Sequence, residues 1–356
     1  MFFKTLRTER FVIRLLLVIS FLLPFFWTFP VWLSERIFPR VPLIFSEQIL
    51  NYQMELFLLI VFGITLLWFL IKDKGFGGLF FFLTYVFLCL LDQTRIQPFF
   101  FEIAIIIFLY WFFRNDFKHF KTAFLILMAG TYIWSGLHKA HPFFYEVWYG
   151  GLEKRIPFVP QILRQLFTWM VPFLEFSFGL ALLFNKTRKL GIWMLALMHS
   201  MILITFLVSG IGFTVFPLNV INVLFLFWLC YRMDWTIIYL KNINLKLKSI
   251  MIYALILPAF NFVGLYDHFL AFSYFSGKPD YCNIIFKNEK AIETLPDGVK
   301  KIVRTYEGQY YLNVNEWSVN NVKVLCYPED RVYSCLQSYI EQFSGRGTTT
   351  IQLYKK

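Results

Sequence analysis

Long apolar runs broken by short charged clusters fill the chain from residue 11 to residue 265. A helix needs about 20 apolar residues to cross a hydrocarbon core about 30 Å thick. On that measure the pattern predicts about nine spans, at 11–32, 52–71, 77–91, 98–113, 121–138, 168–184, 189–208, 213–230 and 249–265. Several are short for a full crossing, and the boundaries are least sharp at Gly75–Gly78 and Gly210–Gly212. Beyond residue 265 charges become frequent. Period-two stretches at Tyr311–Val314, Val322–Leu325 and Thr349–Tyr354 read as strands, and Glu329–Phe343 reads as a helix. The expected architecture is an all-α polytopic membrane bundle over 1–265 with a small α+β domain outside the membrane over 266–356.

Composition supports this and removes the alternatives. The 356 residues are 58% hydrophobic, 21% aromatic and only 16% charged, with 46 Phe. Soluble chains are usually about 25% charged, so a soluble enzyme is excluded. The net charge of +12 is then read as loop charge rather than as a nucleic-acid surface. With the N-terminus inside, Lys and Arg concentrate in alternate segments (Lys4, Arg7, Arg10; Lys72, Lys74; Arg114, Lys118, Lys121; Lys186, Arg188, Lys189; Arg232, Lys241, Lys246, Lys248). The intervening loops carry about half as many. This predicts an uncleaved first helix, a cytoplasmic N-terminus and an extracytoplasmic C-terminal domain. The Phe-, Asn- and Lys-rich composition places the chain in a bacterial inner membrane. Cys282, Cys326 and Cys335 then face an oxidising compartment, where one disulfide is an option. No Cys or His spacing suits a metal, and there is no phosphate-binding loop, dinucleotide fingerprint or nucleophile elbow.

Polar residues inside apolar runs are the candidate sites, because burying charge in a bilayer is costly. Asp92-Gln93-Thr94-Arg95-Ile96-Gln97-Pro98 lies between two spans. Asp92 and Arg95 are three apart and able to pair, so the segment is either a site or a salt-bridged turn. Tyr132, Ser135, Gly136 and Lys139 share a helical face, with Trp134, His138 and His141 beside them. Lys139 is either a site residue or an interfacial lysine reaching for water, with histidines capping the helix. His199 lies mid-span, and Glu175 lies in the preceding span. Asn219, Asn222 and Pro217 share one span, which predicts a broken or kinked helix with polar groups turned inward.

Tyr132-x-Trp134-Ser135-Gly136-Leu137-His138-Lys139, His199 with Ile211-Gly212 and Phe216-Pro217, and Leu91-Asp92-Gln93-Thr94 resemble segments of the horizontally transferred transmembrane family, which includes the vitamin K-dependent γ-carboxylases. The carboxylase branch has an Asn-His pair where this chain has Pro98-Phe99. The Asp-Gln-x-Arg-x-Gln-Pro turn is similar to bacterial DoxX-like relatives. The resemblance implies a bound quinol, vitamin K-like or a menaquinol, with Lys139 as catalytic base and His199 stabilising the anion. Tyr132, Trp134, Asp92, Arg95, Gln97, His138 and Asn219 would bind or brace the cofactor, and no metal is expected. Two other classes stay open: a quinone-associated redox subunit, and a non-enzymatic scaffold. In the scaffold the outer domain docks an envelope or secreted partner around Trp317 or Tyr327, and Lys139 and His199 tolerate change.

Overall fold

The computed structural model describes residues 6–32, 36–44, 52–209, 213–234 and 244–354. It is mostly helical, with a small C-terminal sheet domain. The helices are α1 (Leu6–Trp27), α2 (Tyr52–Ile71), α3 (Gly77–Leu91), α4 (Pro98–Phe112), α5 (Phe117–Lys139), α6 (Pro142–Arg155), α7 (Gln161–Leu182), α8 (Asn185–Ser209), α9 (Phe216–Phe225) and α10 (Leu245–Met251). Among the described residues, seven helical stretches are long and apolar enough to cross a membrane. They are α1, α2, α5, α7, α8, and the stretches that contain α9 and α10. Every expected span is helical where described, but α3 and α4 have only 15 residues each. At 1.5 Å per residue these reach about 22 Å, short of the roughly 30 Å core.

The wide exposure of large apolar side chains is that of a chain embedded in lipid. Ile60, Ile64 and Leu67 of α2, Trp169 and Phe173 of α7, and Trp193, Leu197 and Ile204 of α8 all face outward. The chain is a multi-pass membrane protein.

Three helical details depart from expectation. Residues 142–155 form α6 rather than part of an outer loop, and α7 begins at Gln161 rather than at 168. Pro142 starts α6 at a position that needs no N–H donor, and His141 caps it by accepting from the Phe143 N–H at 3.2 Å. Pro217 does not break its helix. It sits in the first turn of α9, and the irregularity comes later, as a π-helical turn at Leu226–Cys230. The α10 stretch behaves alike, passing through a π turn at Ile252–Ile256 into a 3-10 segment at Leu257–Val263 that carries Pro258.

Helix α5 is the axis of the bundle: 78% of its apolar window is buried, against 22% for α8. It packs closely on α7 because glycine lies on both sides of the contact. A Cβ on Gly136 would meet the Phe176 backbone nitrogen at 2.5 Å, and one on Gly179 would meet the Ile133 nitrogen at 2.7 Å. Small residues at such crossings let helix backbones touch. A second centre of packing lies among α1–α4, where Phe21 meets Phe62, Phe81 and Phe100 with ring centroids 4.9–5.4 Å apart.

The C-terminal domain is built as β1 (Tyr281–Phe286), α11 (Lys290–Glu293), α12 (Asp297–Lys300), β2 (Arg304–Tyr306), β3 (Gln309–Asn313), α13 (Val314–Val322), α14 (Asp330–Ser344) and β4 (Thr349–Tyr354). The sheet order is β2-β3-β1-β4, antiparallel throughout, with Ile284 opposite Leu312 and Ile351. This is a split βαβ arrangement. Ile284, Leu312, Trp317, Val332 and Leu336 form its core. The expected helix and the strand over Thr349–Tyr354 are present. The stretch Val322–Leu325 is not a strand; it is the end of α13, closed by Lys323 in the left-handed conformation. Trp317 and Tyr327 are fully buried rather than on the surface. Trp317 packs on Phe38 from the loop after α1, centroids 4.9 Å apart, and so ties the domain to the bundle.

Cys282 and Cys326 are buried free thiols, and Cys335 is only partly buried. Burial pushes the Cys282 thiol up to about 12 and raises Cys326 as well. Two outcomes follow. Native protein treated with iodoacetamide should label at Cys335, while Cys282 and Cys326 react only after unfolding, as peptide mass mapping would show. Gly179→Val should destabilise the detergent-solubilised protein by about 1–3 kcal/mol or more. Gly63→Ala, where a Cβ meets nothing within 4 Å, should leave the thermal midpoint unchanged or slightly raised.

Candidate functional site

The sequence-predicted residues fall into three separate groups. The first is ionic. Asp92 ends α3 with extended backbone and accepts from the Thr94 N–H at 3.1 Å and the Thr94 hydroxyl at 2.7 Å, which starts a 3-10 turn at Gln93–Arg95. Asp92 pairs with Arg36 from the loop after α1. Arg95 reaches Glu55 of α2 at 3.2 Å, and Arg40 reaches the same carboxylate at 2.8 Å. The expected Asp92–Arg95 contact is present but longer, at 3.9 Å. The Arg95 guanidinium also donates to the Val31 carbonyl at 3.2 Å and the Leu88 carbonyl at 3.1 Å. Asp92, Thr94 and Arg95 have no exposed surface. Burial alone would raise the Asp92 carboxyl. Arg36, then Arg95, overcome it and hold the group below its ordinary value.

This turn is also a seat. Gln93 accepts from Arg331 of α14 at 2.8 Å, and Gln97 donates to the Leu325 carbonyl at 2.9 Å. Arg331 continues to Asp267, and Tyr327 donates to Asp267 at 2.8 Å. The turn is thus salt-bridged, and it is hydrogen-bonded to the C-terminal domain.

The second group lies on one face of α5. The Lys139 ammonium donates to the Glu175 carboxylate of α7 at 2.6 Å and to the Ser135 hydroxyl at 2.7 Å. Two turns before Lys139, Tyr132 meets His199 Nε2 of α8 at 2.6 Å, and His199 Nδ1 meets Asn219 Oδ1 of α9 at 2.6 Å. The Asn219 amide nitrogen donates to the Val215 carbonyl at 2.7 Å. Its oxygen therefore faces the imidazole, His199 carries its proton on Nδ1, and Tyr132 donates to Nε2. Both ring nitrogens and the lysine nitrogen are held by neighbours. His199 and Glu175 share this network through α5, but Glu175 pairs with Lys139 rather than with the histidine.

The third group is the other side of the α5 end. His138 is buried and stacks on Phe262 with centroids 4.7 Å apart, and its Nδ1 lies 3.3 Å from Lys278. Trp134 lies beside this pair, 6.2 Å from His138. Trp134 and His138 thus do not line the Lys139–His199 group. Asp92, Arg95 and Gln97 belong to the turn.

Sequence reasoning passed over Arg36, Arg40, Glu55 and Glu102. The signal for Glu102 was present, since it is a carboxylate inside Phe99-Phe100-Phe101-Glu102-Ile103-Ala104. Asn222 of α9 donates to its Oε1 at 2.7 Å. Elsewhere, Asn283, Tyr311, Asn313, Gln352 and Tyr354 on the open face of the sheet line a concavity of about 540 Å³.

Residues 117–217, α5 to the start of α9, match the family model of methylamine utilisation protein MauE. This overturns the resemblance to the horizontally transferred transmembrane family and the γ-carboxylases. The quinol, and the base role of Lys139, rested on that resemblance. No curated protein and no solved structure matches the chain.

A carboxylate held low in the folded protein stabilises it above the unfolded value near 4, and that contribution is lost as pH falls through the folded value. The thermal midpoint should therefore drop in acid below about pH 4, and Asp92→Asn should blunt that drop. At neutral pH Asp92→Ala, which strands Arg36 and Arg95, should cost about 3–5 kcal/mol.

Proposed function

We propose that this chain is a non-enzymatic membrane accessory protein. Its bundle anchors the C-terminal domain at the extracytoplasmic face of a bacterial inner membrane and offers that domain to an envelope or secreted partner. One observation carries the reading: the groups best suited to chemistry are occupied as structural ties. A general base needs a lone pair within reach of its substrate. The Lys139 nitrogen instead joins α5 to α7 through Glu175, and His199 joins α8 to α5 and α9.

Two further features fit. The match to a methylamine utilisation protein covers Tyr132, Ser135, Lys139, Glu175 and His199 and ends two residues before Asn219, so most of these ties belong to the part of the chain with a recognisable relative. The ionic turn holds the C-terminal domain on the bundle through Gln93 and Gln97, as a presenting scaffold requires. The side of the membrane rests on the excess of Lys and Arg in the segments assigned inside.

A tie and a base respond differently to exchanging the partners. Lys139→Glu alone leaves two facing carboxylates and should lower both the membrane level and the thermal midpoint of the protein. The exchanged pair Lys139→Glu with Glu175→Lys restores opposite charges and should recover most of both. An exchanged pair that recovers neither the membrane level nor the thermal midpoint would remove the tie, and with it the scaffold reading.

A further inference from the structure

Buried carboxylates in this bundle come with cations. Asp92 has Arg36 and Arg95, Glu55 has Arg40 and Arg95, and Glu175 has Lys139. Glu102 of α4 differs. It is 1% exposed and has no ion pair among the described residues. An isolated carboxylate in an apolar interior is far more costly than its neutral acid.

The surrounding atoms show the same imbalance. Asn222 Nδ2 donates to Glu102 Oε1 at 2.7 Å. Glu102 Oε2 and Asn222 Oδ1, the other oxygens of the two groups, are both buried and meet no donor. Two buried acceptors without a donor, on groups already joined by one hydrogen bond, is an arrangement that buried polar groups avoid. One proton resolves both orphans.

We infer that Glu102 is a proton-binding site within the membrane: Oε2 carries the proton and donates it to Asn222 Oδ1, closing a two-bond acid–amide ring that latches α4 to α9. The groups around it offer no replacement cation. Tyr132 of α5, which also lies within hydrogen-bond reach of Asn222, Tyr253 of the π turn after α10, and Tyr274 are phenols rather than cations. On α3, Tyr85 donates to the Arg95 carbonyl, and on α1, Arg10 and Arg14 are held by Asp73. Asn219 lies three residues before Asn222 on α9 and holds His199, so the latch shares a helix with the histidine. Losing the proton would set a bare carboxylate against the Asn222 oxygen and open the α4–α9 seam.

Glutamine reproduces the neutral acid: its amide N–H takes the place of the acid proton and its oxygen still accepts from Asn222. Glu102→Gln in lipid nanodiscs should therefore keep its thermal midpoint within about 2 °C of wild type, while Glu102→Ala falls further. The infrared difference between wild type and Glu102→Gln at neutral pH should show the carbonyl band of an undissociated carboxylic acid. Moving to alkaline buffer should lower the wild-type midpoint more than that of Glu102→Gln. Absence of the acid band, or a Glu102→Gln protein that unfolds or falls as far as Glu102→Ala, would overturn the site. A wild-type midpoint that rises with sodium at constant ionic strength would overturn it too, since the ligand would then be a metal cation.

Discussion

A charge in an apolar interior must find a partner or lose its proton, and the architecture of this bundle is arranged around that requirement. The turn between α3 and α4 shows it most fully. Asp92, Arg95, Arg36, Arg40 and Glu55 come from three stretches of chain and meet with almost no access to solvent. Each pair alone would do little more than offset its own desolvation. Joined, and with Arg95 also bonded to the carbonyls of Val31 and Leu88, they fix the end of α1, the start of α2 and the α3–α4 corner as one unit. The C-terminal domain rests on that unit through Gln93 and Gln97. A corner free to move could not hold it.

The same requirement explains how α5 is used. Its face toward α7 is cut back to glycine contacts at Gly136 and Gly179, and close backbone approach gives dispersion a strength that apolar burial lacks between helices in lipid. Such a contact does not set a register by itself. The Lys139–Glu175 pair does so at one end, and the Tyr132–His199–Asn219 chain does so about two turns away. Packing supplies proximity, and the polar ties choose which of several slid arrangements is kept.

The spans were legible because their signal is local: a run of apolar residues of the right length announces itself. What the run does not announce is how the helix ends. The π turns after α9 and α10 both pack against α5, a contact that composition does not display, and α6 was hidden because Glu146, Glu153, Lys154 and Arg155 dilute its apolar character. In the C-terminal domain β4 alternates visibly. β1 is buried along Ile284–Phe286 and shows no alternation, and β2 has only three residues. The individual site residues were visible as polar positions in apolar runs, yet their partners were not. Asp92 was read against Arg95 three residues away, when Arg36, 56 residues earlier, is the closer cation. Sequence neighbours are the only ones a sequence displays, and ion pairs form between neighbours in space.

Polar density alone is therefore a poor guide to chemistry in a membrane chain. Tyr132, Ser135, Lys139 and His199 have the residue types of a proton-transfer site, and they are bonded to one another or to groups on neighbouring helices. The distinction lies in the unfilled positions: a catalytic group keeps a lone pair or a proton facing a space that a substrate can enter, whereas a tie has every such position filled by the fold. His199 has both nitrogens filled, and the Lys139 nitrogen meets a carboxylate and a hydroxyl. Glu102 is the exception among the buried carboxylates of the described bundle, since no cation pairs with it among the described residues, and only Asn222 donates to it. It is also the residue that a search for polar clusters passes over, because it stands alone among phenylalanines and isoleucines. In a low-dielectric interior solitude is the more informative signal, because a lone acid there has no fixed cation to hold its charge and is left with a proton as its simplest partner.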